Sequence, residues 1–136
     1  TYIDNPCYSM KRPKAIINLF GITEIERNSE FLDNTKFFKA SNYVKGWIKP
    51  DQDISEVSQK LSPIYLIDEN PPYVLTIHGT SDRWVPYEQA VLLDKKLGGK
   101  HKLLTIDGGG HYYFSEKEDE LIRITISSFL KRVYNQ

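Results

Sequence analysis

Tyr73-Val74-Leu75-Thr76-Ile77-His78-Gly79-Thr80-Ser81-Asp82 is the stretch whose reading settles the fold class. From Tyr73 to His78 the chain is nearly continuously apolar and β-branched, preceded by Pro71-Pro72 and stopped by Gly79. An amphipathic helix would show a polar face at this length; a strand covered on both sides shows none. The run predicts a buried strand of a parallel sheet, with a loop through Pro86 beyond it.

Two more runs share that character. Ala15-Ile16-Ile17-Asn18-Leu19-Phe20 ends in Gly21, and Lys102-Leu103-Leu104-Thr105-Ile106 runs into Asp107 and three glycines. Helical segments lie between and after them. Pro86 and Glu88 open a helix that Gly98-Gly99 stops, with Ala90, Leu93 and Leu97 on one face. Asp53 with Glu56 caps a shorter helix ending before Pro63. Ser115 with Glu118 is a capping box, and Ile122, Ile126, Phe129, Leu130 and Val133 form the stripe of the helix it starts. The stretch from Thr23 to Lys49 is expected to be mostly helical, with poor periodicity. The order is strand, helical insert, strand, helix, strand, helix. It predicts an α/β fold, a three-stranded parallel sheet flanked by helices and joined by right-handed crossovers.

Composition narrows the partners. Eighteen basic and eighteen acidic side chains cancel and are interspersed, so no net field draws the chain to nucleic acid or an anionic membrane. No apolar run reaches the length of a membrane span. The single cysteine, Cys7, excludes an intramolecular disulfide, and His78, His101 and His111 lack helical metal-ligand spacing. Thr1-Tyr2-Ile3-Asp4 is not a signal peptide and no glycosylation sequon occurs, so a soluble intracellular protein is the default expectation.

In open parallel sheets, reactive groups gather at the carboxyl ends of strands. Two such loops are rich in candidates here: Gly79-Thr80-Ser81-Asp82-Arg83-Trp84-Val85-Pro86 and Gly108-Gly109-Gly110-His111. Adjacent strands would bring Asp82 and His111 together. A carboxylate that orients an imidazole and stabilises its protonated form is half of a hydrolytic triad.

These segments resemble the α/β-hydrolase family of serine esterases, lipases and peptidases. Pro71 to Asp82 with Val85-Pro86-Tyr87-Glu88-Gln89-Ala90 is similar to the family's acid-bearing segment. Ile106-Asp107-Gly108-Gly109-Gly110-His111 resembles the Gly-rich turn before its catalytic histidine. Leu61-Ser62-Pro63-Ile64 is similar to the lead-in to the acid strand, and Ala15–Gly21 to the strand after the nucleophile helix. The resemblance implies that the chain is the C-terminal portion of such a fold, with Asp82 as triad acid, His111 as base, small carboxylic esters as substrates and no cofactor.

The family's nucleophile precedes both groups on a Gly-x-Ser-x-Gly elbow. The residues before Ala15 contain no such elbow; Asn5-Pro6-Cys7-Tyr8-Ser9 lacks its glycines. The expectation is a parent hydrolase whose nucleophile and oxyanion loop lie elsewhere, leaving the isolated chain inactive. The alternative is a non-catalytic α/β interaction module or truncated remnant. Gly79-Thr80-Ser81-Asp82-Arg83 matches half an elbow, but Arg83 stands where a small residue is needed. Ser81 is therefore not expected to be a nucleophile. His78-Gly79 has one glycine too few for an oxyanion motif, so His78 is expected to be a core strand residue. Asp107 and its glycines sit on the wrong strand for a nucleotide site. Trp84 and Tyr87 are expected to pack at the loop rim. Tyr112-Tyr113-Phe114 could line an acyl pocket or cover the core, and Cys7 is expected to be inert. Ala15–Phe20, lacking its family neighbour, would be an apolar edge, which predicts a homodimer covering it.

Overall fold

A computed structural model describes residues 11–35, 42–112 and 114–135. Its sheet has three parallel strands, β1 (Ala15–Leu19), β2 (Tyr73–Gly79) and β3 (His101–Ile106), in the order β1-β2-β3. Ile17 pairs with Leu75 and Ile77 with Leu104, so all three strands deliver their carboxyl ends to one edge. The parallel α/β expectation is met.

Alternation along β2 decides what each face packs against. Leu75 and Ile77 point one way, into a cluster with Ile106 and with Phe129 and Val133 of helix α5 (Glu116–Tyr134). Burying a side chain such as Phe129 contributes roughly 1.5–3 kcal/mol. Val74 points the other way, against Leu93 and Leu97 of α4 (Glu88–Leu97). Helices on opposite faces explain why β2 is buried on both sides, and its sequence nearly continuously apolar rather than alternating.

The caps follow the sequence closely. Ser115 and Glu118 close a reciprocal capping box on α5, and Asp53 accepts from the Ser55 and Glu56 amides at the start of α2 (Ile54–Leu61). A single helical turn, α3 (Pro63–Leu66), follows.

The stretch from Thr23 to Lys49 is mostly helical among its described residues, as expected. Its described part holds one helix, α1 (Ile25–Asn34), and one 3₁₀ turn at Lys45–Trp47; the rest of its described residues are turn or irregular chain. The poor periodicity has a physical cause: α1 buries Asn28 and Ser29 beside Leu32, so polar residues occupy the inward face. Cys7 and Tyr113 lie outside the described residues. No helix among the described residues is long and apolar enough to cross a membrane.

Candidate active site

The loops after β2 and β3 are sewn together by backbone. Thr80 N–H donates to the Ile106 carbonyl (3.0 Å), and Ser81 N–H to the Gly109 carbonyl (2.9 Å). Thr80 Oγ1 accepts from Gly108 N–H (2.8 Å) and donates to Asp107 Oδ1 (3.2 Å). The approach is so close that a Cβ on Gly79 would lie 2.2 Å from the Gly109 carbonyl oxygen. Gly108 takes a φ of +70°, which glycine adopts without steric cost. The glycines read from the sequence therefore serve the seam between the two loops.

That seam brings Asp82 to His111. Asp82 Oδ2 accepts from His111 Nδ1 at 2.7 Å. Its other oxygen, Oδ1, accepts from the amides of Trp84 (2.8 Å) and Val85 (2.9 Å). Burial pushes the Asp82 carboxyl up, but hydrogen bonds from His78, the Val85 and Trp84 amides and His111 outweigh it. The net result is a group held below the usual carboxylate range. Its side chain is fully covered, whereas His111 keeps a quarter of its side chain open. Because a carboxylate can only accept, Nδ1 of His111 carries a proton, and Nε2 is the nitrogen left for chemistry.

His111 opens into a cleft of about 430 Å³ lined by Phe20, Ile22, Tyr43, Trp84, Val85 and Tyr112. Phe20 does not extend β1 as expected. It turns into the left-handed region at φ +46°, a conformation costly for a bulky side chain, and its ring centroid lies 4.9 Å from that of His111. Tyr43 comes from the insert: its hydroxyl accepts from Asn28 Nδ2 (3.0 Å) and donates to the Trp84 carbonyl (3.1 Å). Burial raises the Tyr43 phenol, and the nearby Asp82 charge adds to that against the lowering bond from Asn28.

Other sequence candidates sort cleanly. Ser81 is exposed, its amide committed to the seam. Trp84 is half-buried and lines the cleft, while Tyr87 leans away, its hydroxyl 2.6 Å from Thr105 Oγ1. Tyr112 lines the cleft and Phe114 packs on the core, so the aromatic run divides its duties. His78 is a buried strand residue, as expected, but its ring also reaches the acid: Nε2 lies 3.0 Å from the Val85 carbonyl and 3.3 Å from Asp82 Oδ2. Its position four residues before Asp82 was the available signal.

The sequence model of BD-FAE, an α/β-hydrolase-type esterase domain, matches residues 2–97. The chain belongs to the BD-FAE family. The match takes in β1, β2 and the Asp82 loop of this BD-FAE chain and ends before His111. Among solved structures it is similar to a puromycin-hydrolyzing peptidase of Mycobacterium tuberculosis, at 28% identity and a TM-score of 0.59 over 74% of this chain and 15% of that one. It resembles a truncated carbohydrate esterase from gut microbiota at 25% identity and a TM-score of 0.58, over 79% of this chain and 38% of that one. A mutant puromycin hydrolase complexed with PGG shares the fold at 18% identity and a TM-score of 0.75, over 93% of this chain and 19% of its own. The BD-FAE chain thus spans between 15% and 38% of the length of these three hydrolases. No curated protein matches it in sequence.

Proposed function

We propose that the chain supplies the acid, Asp82, and the base, His111, of a serine hydrolase that cleaves small carboxylic esters. The observation carrying this is the 2.7 Å bond from His111 Nδ1 to a covered Asp82 carboxylate, at the mouth of an apolar cleft. In that arrangement Nε2 takes the proton of a serine hydroxyl as it attacks the ester carbonyl. Asp82 stabilises the imidazolium that forms, and Nε2 then returns the proton to the departing alcohol. The serine and the donors that hold the oxyanion belong to a part of the protein beyond these residues. Membership of the BD-FAE family and the esterase neighbour favour an ester; the peptidase neighbour makes an amide the second reading.

The test uses the full-length protein with paired p-nitrophenyl esters and p-nitroanilides of short acids. Ester cleavage should exceed anilide cleavage, and Asp82→Asn and His111→Ala should each lower kcat by roughly 10³–10⁴-fold. A fluorophosphonate probe should add one adduct, on a serine. Full ester turnover in both variants would overturn the assignment, and preferential anilide cleavage would move the substrate to the amide class.

A further inference from the structure

Asp82 is held by a second imidazole that the triad scheme does not use. We propose that His78 is a positioning residue, its Nε2–H bridging the Val85 carbonyl and Asp82 Oδ2 so that the carboxylate stays aimed at His111. The proposal rests on Asp82 acting as the acid.

The direction of the bond follows from its partners. A backbone carbonyl only accepts, so the His78 Nε2, 3.0 Å from Val85 O, is the donor. The same proton faces Asp82 Oδ2 at 3.3 Å. Oδ2 thus receives imidazole nitrogens from two sides while Oδ1 receives two backbone amides. With donors on both oxygens, the carboxyl plane is fixed without any cationic side chain among these contacts.

The ring itself has little room to move. It is fully buried, and Phe20 and Tyr87 meet it edge-on, with centroids 6.4 Å and 5.9 Å away and interplanar angles of 89° and 87°. The other ring nitrogen, Nδ1, is buried with no partner. Burying a polar atom without a partner is costly, and an aliphatic side chain would fill a strand interior without that cost. A histidine here is explained by what Nε2 does. The groups facing Asp82 are His78 from β2, His111 from the β3 loop and the Trp84 and Val85 amides, with the Tyr43 hydroxyl behind the Trp84 carbonyl.

Side-chain length separates this role from mere packing. In His78→Gln the amide nitrogen reaches the place of Nε2; in His78→Asn it reaches only the place of Nδ1. Both keep a polar amide in the same buried space, so they form the deciding pair, and His78→Phe tests volume without a donor. In the full-length protein, His78→Asn and His78→Phe should lower kcat about 10–100-fold with KM nearly unchanged, as misplacement of a catalytic group does. The Asp82 carboxyl, followed by carbon NMR, should protonate at higher pH in both. His78→Gln should restore kcat and titration to near wild type. Equal behaviour of the Gln and Asn variants, or an unmoved Asp82 titration in the Asn variant, would overturn the proposal. Asp82→Asn run alongside distinguishes the two failures: if it abolishes turnover while His78→Asn does not, only the role of His78 falls; if it leaves turnover intact, the acid assignment falls.

Discussion

Gln89 on α4 grips Glu24 by both ends of its amide: Oε1 accepts from Glu24 N–H at 2.7 Å, and Nε2 donates to the Glu24 carbonyl at 3.1 Å. The same Oε1 accepts from Thr23 N–H at 2.8 Å, and all three residues are buried. Glu24 in turn caps α1 with its carboxylate and accepts from Ser58 of α2, so one glutamine ties the insert to the helix behind the acid loop. Gln89→Ala would strand the two buried amides of Thr23 and Glu24, while the Glu24 carbonyl keeps the Asn28 N–H. Each orphaned amide costs about 1–3 kcal/mol, so a total loss of roughly 2–6 kcal/mol is expected. Urea unfolding measures the loss, and hydrogen exchange should rise first at Thr23 and Glu24. Unchanged protection at those amides would show that water replaces the clamp.

Gly79 is required by proximity. A methyl there meets the Gly109 carbonyl oxygen at 2.2 Å and the Gly109 carbonyl carbon at 2.4 Å, and backbone cannot swing aside as a side chain does. Gly79→Ala must part the two loops, breaking the bonds of Thr80 and Ser81 to the β3 loop and pulling Asp82 from His111. The expected cost is about 1–3 kcal/mol, typical of overpacking. Activity should fall more than this stability loss explains. A variant with wild-type kcat would mean that the pair survives a parted seam.

The strands, Asp82 and His111 were legible because each is written locally: apolar runs beside Gly or Pro, then an acid and a base in successive strand-end loops. The partners that hold them were not, because they are distant in sequence. Gln89 and Glu24 are separated by 65 positions, and Tyr43 reaches Trp84 across 41. In β2, Thr76 and His78 read as interruptions of an apolar run; their meaning lies across the sheet. Thr76 Oγ1 is 2.8 Å from His101 Nε2 and accepts from Asn18 Nδ2, while His78 turns to the acid. Phe20 continues the apolar run of β1 in sequence, but hydrophobicity carries no information about a positive φ.

Among the described residues β1 pairs on one side only, with β2, and Ile16 and Leu19 are 40% and 48% exposed. An apolar strand edge invites another strand, and zero formal net charge offers no repulsion against a second copy. We propose that the 136-residue chain, prepared alone, forms a homodimer across this edge. Sedimentation should show a dimer at micromolar concentration and a monomer for Ile16→Lys. A wild-type monomer at high micromolar concentration would overturn the dimer.

Acid sensitivity should be traceable to Asp82. Its carboxyl is held low in the folded chain, because the donors from His78, Val85, Trp84 and His111 outweigh its burial. A carboxylate lowered by folding adds stability that is complete above its unfolded pKa, about 4, and disappears as pH falls through the folded value. Stability should therefore drop steeply below about pH 4. Asp33, Asp68 and Glu118 are also lowered, by bonds led by those to Lys45, Arg12 and Ser115, and they contribute to the same slope. Those three are common to wild type and Asp82→Asn, so the difference between the two isolates Asp82. The variant should be less stable at pH 7, since an amide nitrogen cannot accept from both imidazoles, and its decline toward pH 3 should be shallower. Urea midpoints across that range measure both curves. If they run parallel, the donors around Asp82 do not favour its charged form, and the carboxylate would be held by geometry alone.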